Sequence, residues 1–212
     1  MIISGKPSRP YSTEKRDAKA AETRTRLVAA ALDILRQSGG QALSLDAVAR
    51  AVGVTRLTVY NQFGSRNGLL EAAFDAVAEQ GNLAGLAKTM AIPEPRAALA
   101  WVVKTFCDFW MSNEGLGGIF AAAAVDAELS KALAARNERR RGLLGLLVDR
   151  QGIAEGQAKA DIVDLLFTLT SFATFTSLRG EQRDGEAVCA LLLPLCDQIF
   201  SGERRSISPA AT

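Results

Sequence analysis

The chain has no histidine and only three cysteines, Cys107, Cys189 and Cys196, among its 212 residues. Without imidazole there is no histidine general acid or base, and the usual zinc sets built from several Cys and His cannot be assembled. Cys189 and Cys196 are seven apart on one predicted helix, so they share a face but lie about 10 Å apart along the axis, too far to bridge within it. All three are expected to be buried small hydrophobes rather than redox groups. The chain also lacks a glycine-rich phosphate loop, a nucleophile elbow and any acidic pair set apart from ordinary surface charge. No catalytic residue, metal site or cofactor is therefore expected, and the reading is not an enzyme. Missing too are the apolar core of a signal peptide and any apolar run near the ~20 residues that span a bilayer. The expectation is a soluble cytoplasmic protein with no membrane partner.

What is present begins with AVARAVGVTRLTVYNQF at residues 47–63. Ser44 can cap a helix starting at Leu45, in which Leu45, Val48, Ala49 and Val52 recur at i, i+3, i+4, i+7 as one buried stripe. Gly53 ends that helix in about one residue, and Val54 plugs the corner. Thr55 then caps a second helix whose Val59 and Phe63 point inward, leaving Leu57, Tyr60 and Asn61 outward with Thr58 at the flank. A core-packed second helix with an uncharged polar outer face suits a DNA major groove. Paired amphipathic helices also occur in proteins that never meet DNA, so the context decides. Upstream, Glu22 to Gln37 reads as a helix with Leu27, Ala31, Ile34 and Leu35 buried, ended by Ser38-Gly39-Gly40. Downstream, Phe63-Gly64-Ser65 breaks the chain before a fourth helix, about Ser65 to Gln80, with the stripe Leu70, Ala73, Phe74 and Val77.

Charge agrees with this placement. Residues 1–70 carry eleven Lys and Arg against five acidic residues, and residues 71–212 carry fourteen against eighteen. The net +2 thus hides a basic half that contains the helical pair, as phosphate neutralisation requires. The first twenty residues hold Lys6, Arg9, Lys15, Arg16 and Lys19 among Pro and Ser without apolar periodicity. They read as a flexible tail, or as an arm that tracks phosphates or enters the minor groove.

The order and spacing resemble the TetR-type (tetracycline-repressor-like) transcriptional regulators. The likeness rests on TRTRLVAAALDILRQSGG, SLDAVARAVGVTRLTVYNQF and GSRNGLLEAAF, together about residues 23–74. It implies that the Tyr60 hydroxyl meets a phosphate, that Phe63 anchors the recognition helix, and that Arg66 meets another phosphate. Arg66 stands where that family more often has Lys. Leu57 stands where a small residue is usual, either to contact a thymine methyl or to hold the helix off the groove floor. Ser44, Thr55, Thr58, Tyr60 and Arg66 are accordingly the phosphate candidates, and Arg56, Leu57 and Asn61 the base-reading candidates.

From about Asn82 to Gly202 the chain reads as helices throughout. Pro93 and Pro95 precede a helix from Arg96 to Ser112, and Gly115, Gly117 and Gly118 break it. Leu116 to Ala124 is a short helix and Ala127 to Gln151 a long one, with Arg139-Arg140-Arg141 read as a solvated face in preference to an anion clamp. Ala158 to Leu178 and Gly185 to Phe200 form an apolar antiparallel pair with more to bury than one small domain needs, which points to a second copy. The family's last two helices form a four-helix dimer interface, which here implicates Leu165, Leu169, Phe172, Leu191, Leu195 and Ile199. Trp101, Phe106, Trp110, Met111 and Phe120 fall on helices that, by the resemblance, line a ligand cavity; with few charges among them they favour an apolar or aromatic effector.

The fold class expected is all-α, a three-helix helix-turn-helix DNA-binding domain followed by a helical ligand-binding and dimerisation domain. The divisions are a basic arm at 1–21, the DNA-binding domain with its connecting helix at 22–81, the effector and dimerisation domain at 82–202, and a tail at 203–212. The resemblance implies a homodimeric regulator, in most members a repressor, that binds a palindromic double-stranded DNA operator and is released by a small-molecule effector. Two other readings stand beside it: a helical small-molecule carrier without specific DNA activity, and an enzyme using Asp, Glu or Cys in the C-terminal cavity.

Overall fold

The computed structural model describes residues 11–37, 43–113 and 115–202, with side chains described from residue 15. Among these residues there are ten α-helices, one 3-10 segment and no strand. Helix α1 spans Tyr11–Gln37, α2 Leu45–Val52, α3 Arg56–Phe63 and α4 Arg66–Gln80. The 3-10 segment Leu83–Ala91 leads to α5, Pro95–Ser112, then α6, Leu116–Ala123, and α7, Ala127–Gln151. Helices α8, Gly156–Leu169, α9, Phe172–Arg179, and α10, Gly185–Phe200, complete the chain.

Helix α1 begins at Tyr11, eleven residues before the expected helix start at Glu22. Residues 14–22 are rich in Glu, Lys and Ala, good helix formers that need no buried face to extend a helix already anchored downstream. That anchor is the stripe Leu27, Ala31, Leu32 and Leu35, all buried; Ile34, expected in it, is half-buried. Residues 1–10 and the 203–212 tail lie outside the described residues.

The corner between α2 and α3 forms as its residues dictate. Ser44 accepts a hydrogen bond from the Ala47 amide at 3.1 Å, and Gly53 closes α2 in the left-handed region at φ 76°, a conformation a side chain would resist. Thr55 accepts from the Thr58 amide at 3.2 Å to start α3, and Ser65 from the Gly68 amide at 3.0 Å to start α4. Two arginines of α1 reach across to the carbonyl ends of these helices: Arg26 donates to the Val52 carbonyl at 3.1 Å and Arg24 to the Gln62 carbonyl at 2.8 Å. Each cation meets the negative end of a helix dipole. Arg24 also lies 4.5 Å over the Phe63 ring, holding α3 at the inner face that the sequence assigns to Phe63.

The remaining helices pack around a second part of one continuous core. Helices α5 and α10 lie against each other with Val102, Val103, Val188 and Leu192 buried, and the three cysteines Cys107, Cys189 and Cys196 are buried and unbridged. Burial pushes the Cys196 thiol up to about 12, as expected of a cysteine acting as a small hydrophobe. The single helix expected from Ala158 to Leu178 is instead two, α8 and α9, bent by 49° at Thr170-Ser171. Ser171 caps α9 at the Thr174 amide, while the Thr170 carbonyl, freed by the bend, accepts from Trp110 Nε1 at 3.0 Å and from Arg140 Nη1 at 2.7 Å. A buried carbonyl left without partners costs about 1–3 kcal/mol, so these two donors make the bend tolerable. No single helix among the described residues is long and apolar enough to cross a membrane.

Helix α6 joins the two parts. It lies against the end of α1 so closely that a Cβ on Gly118 would come within 2.2 Å of the Arg36 carbonyl oxygen. Only glycine fits there without displacing backbone.

Candidate DNA-binding surface and ligand cavity

On α3 the outward residues are those its helical wheel assigns. Leu57 is 64% exposed and Tyr60 54%, and with exposed Asn61 they fall at i, i+3, i+4 on one face, free to meet a groove. Arg56 is exposed at the start of the helix and pairs with Asp46 of α2 at 3.3 Å, a solvated contact worth little and easily exchanged for a phosphate or a base. Val59 is fully buried and anchors the opposite face.

The phosphate candidates divide. The Thr55 and Thr58 hydroxyls lie 2.9 Å apart and hydrogen-bond to each other at the start of α3, and the Ser44 hydroxyl is taken by its cap. Each of the two caps, Ser44 and Thr55, nevertheless marks a helix start at which free backbone amides concentrate positive potential. Arg66 is placed differently. Its Nε donates to the Leu43 carbonyl at 2.6 Å, and its guanidinium is paired with Asp126 and Glu128 at the start of α7. In this conformation it is a clasp between the DNA-binding helices and the C-terminal helices. Asp126 has a double role, since it also caps α7 at the Leu129 amide at 3.1 Å.

Between α4, the 3-10 segment, α5, α6 and α7 is a cavity of about 410 Å³. That volume is within the ~300–1,000 Å³ usual for small-molecule sites. Of the five aromatic and sulfur candidates, Phe106, Trp110 and Phe120 line it. Trp101 and Met111 do not. Trp101 is 38% exposed and its Nε1 donates to the Gly85 carbonyl at 3.0 Å, fastening the 3-10 segment to α5. Met111 packs toward Gly185 at the start of α10.

The cavity wall also contains charge. Arg136, Arg139, Arg140 and Asp75 all line it, against the expectation that few charged residues lie among the aromatics. Arg136 is satisfied by Glu71 at 2.7 Å and Asp75 at 2.9 Å. Arg140 is not on a solvated face, which corrects the reading of the arginine run: it is only 7% exposed, and burial draws its pKa down to about 10, with Arg141 adding to the effect. The spacing hides this, because an α-helix turns Arg139, Arg140 and Arg141 about 100° apart and one of three must face inward.

The exposed apolar side chains of α8 and α10 include Leu165, Leu191 and Leu195. Leu169 and Ile199 are half-buried beside them. Phe172, expected on that face, is also half-buried, and its ring stacks on Phe120 at 4.8 Å and meets Trp110 edge-on at 5.6 Å.

Residues 27–73 match the family model described as bacterial regulatory proteins, tetR family. A stretch of 62 residues is 40% identical to the HTH-type transcriptional regulator AlkX of Mycobacterium tuberculosis, spanning 29% of this chain and 28% of that protein. The fold extends further than the sequence likeness. NalD of Pseudomonas aeruginosa, the secondary repressor of the MexAB-OprM multidrug efflux pump, is similar over 85% of this chain and 96% of its own, with a TM-score of 0.67 at 20% identity. A TetR-like transcriptional regulator from Rhodococcus sp. RHA1 is similar over 85% and 97%, with a TM-score of 0.62 at 19% identity. The helix-turn-helix thus carries the sequence signature of the tetR-family bacterial regulatory proteins over residues 27–73, and the all-α fold around it resembles that of TetR-like regulators over most of the chain.

Proposed function

We propose that the protein is a ligand-responsive repressor that binds a palindromic operator as a homodimer and is released when an apolar or aromatic small molecule enters the cavity. The observation that carries this reading is the physical link between the two sites. The cavity is walled by α4 and α7, and these helices begin side by side, with Arg66 of α4 paired to Asp126 and Glu128 of α7. A ligand that re-seats α7 therefore acts on the helix that follows the recognition helix. It shifts the equilibrium only by its preference for one of the two states, typically about 1–3 kcal/mol.

The dimer supplies the remaining geometry. Leu165, Leu191 and Leu195 are exposed on neighbouring helices, an arrangement suited to a four-helix contact with a second copy. Two α3 helices related by a two-fold axis would meet half-sites about 34–36 Å apart or a multiple of that. Tyr60, Thr55, Thr58 and Ser44 then position the phosphates and Arg56, Leu57 and Asn61 meet base edges. Arg66 joins the phosphate contacts only if its clasp to α7 opens.

The test is nuclease protection of the DNA upstream of the protein's own gene and its neighbours, joined to a reporter driven by the protected promoter. Protection of a palindrome, and higher reporter output when the gene is deleted, are the expected results. Protection with lower output on deletion would make the protein an activator. Absence of a protected site at every neighbouring promoter would favour the carrier without DNA activity.

A further inference from the structure

Arg140 is a cation buried without a counter-ion. Its guanidinium lies 4.1 Å over the Phe167 ring and 5.3 Å over that of Phe106, and its hydrogen bond is to the Thr170 carbonyl. Nε is enclosed and meets no acceptor. Among the described residues no carboxylate pairs with it, although eleven contacts elsewhere join arginine or lysine to Asp or Glu. The acidic groups nearest the cavity are already committed, since Asp75 and Glu71 both bind Arg136, and Asp164 of α8 binds Arg141. Arg139, exposed and also without an ion pair among the described residues, adds a second positive charge to the wall.

Such an arrangement is costly. A buried ion without its partner is heavily penalised, and two aromatic faces recover only part of that. The Thr170 carbonyl does not require a cation, because Trp110 Nε1 already donates to it. A guanidinium has five donors in a planar fork that matches a carboxylate in bidentate fashion, and most of that capacity is unused here. The rest of the cavity is apolar and aromatic, with Phe106, Trp110 and Phe120 along one side and Leu133 and Leu143 on α7 beside the arginine.

We infer that the cavity takes an amphipathic monocarboxylate, a small molecule with an aromatic or aliphatic body among Phe106, Trp110 and Phe120 and a single anionic head paired with Arg140. The inference rests on the reading of this cavity as the effector site and specifies the chemistry of its occupant. Arg140 selects the charged head; Arg139 at the exposed side of the wall attracts it toward the cavity.

The experiment is calorimetric titration of the full chain with 2-naphthoate, with its uncharged isostere 2-naphthamide, and with the neutral dye N-phenyl-1-naphthylamine. The expected result is that the acid binds at least ten-fold tighter than the amide. Replacing Arg140→Met should abolish that preference while leaving dye affinity within about two-fold. Arg140→Lys, which retains the charge, should keep part of the preference, and it serves as the variant if the methionine substitution does not fold. Equal affinities for acid and amide in the wild-type chain, with the dye bound, would overturn the inference while leaving the cavity reading intact. A preference for the acid that survives in Arg140→Met would overturn the assignment of Arg140. Failure of all three molecules to bind would contradict the effector-site reading itself.

Discussion

At the scale of single residues, the proposed division between positioning and reading on α3 yields opposite signatures. Tyr60 and Asn61 are adjacent and both exposed, but a phenol hydroxyl on a phosphate carries no sequence information whereas an amide on a base edge does. Tyr60→Phe should weaken binding to operator and to scrambled DNA by the same factor. Asn61→Ala should lower the affinity for the operator by about 1–3 kcal/mol and leave scrambled DNA almost unaffected. Equal loss on both DNAs for Asn61→Ala would put Asn61 among the phosphate contacts. Arg140 gives a second residue-scale prediction, in stability. Because its charge is buried without a counter-ion and the Thr170 carbonyl retains Trp110, Arg140→Met should change unfolding free energy by less than about 1.5 kcal/mol in urea denaturation. Leu144→Ala, a fully buried neighbour on the same helix, should cost about 2–5 kcal/mol. A loss at Arg140 as large as that at Leu144 would show that the arginine is there to hold the α8–α9 bend.

At the scale of elements, the short helix α6 sets a test within two adjacent residues. Gly117 has open space where a Cβ would stand, while a Cβ on Gly118 would meet the α1 backbone. Gly117→Ala should therefore stabilise the protein by up to about 1 kcal/mol through helix propensity. Gly118→Ala should destabilise it by about 1–3 kcal/mol, since the obstacle is backbone and cannot rotate away. Thermal melts of the two variants check this, and shifts of the same sign would mean that α6 does not bear on α1 as described. Elements defined by their own caps are legible from the residues: Ser44, Gly53 and Thr55 bound α2 and α3, and α7 and α10 keep the ranges expected of them, with Asp126 and Gly152 at the ends of α7 and Asp184 at the start of α10. The bend between α8 and α9 is not. Thr170-Ser171 contains no Gly or Pro, and its freed carbonyl is satisfied by donors 30 and 60 residues away. The burial of Arg140 is likewise invisible in the run Arg139-Arg140-Arg141, where the residues alone do not say which of the three faces inward. The N-terminal turns of α1 leave no signal in the sequence because an exposed helical extension has no apolar period.

At the scale of the whole molecule, the exposed leucines of α8 and α10 are where the proposed dimer is tested. Leu165→Glu together with Leu195→Glu should convert the proposed dimer to monomer in sedimentation equilibrium, because a carboxylate at the centre of an apolar contact is left unpaired. The monomer should retain non-specific DNA binding and lose the operator, since one α3 helix engages one half-site. A pair of substitutions that leaves the mass unchanged would move the interface elsewhere. The two ends of the molecule are joined through α7, which carries Arg136 and Arg140 at the cavity and begins at the clasp of Asp126 and Glu128 on Arg66. Charge is distributed to suit this division, with the basic excess in the first seventy residues. The measurement that tests the account most directly is the affinity of the full chain for its upstream DNA and for a scrambled fragment across a salt titration. The account predicts far tighter binding to the specific fragment, together with a steep fall in affinity with salt on both DNAs as phosphate contacts release counterions. Equal, weak and salt-insensitive binding to the two fragments would contradict it.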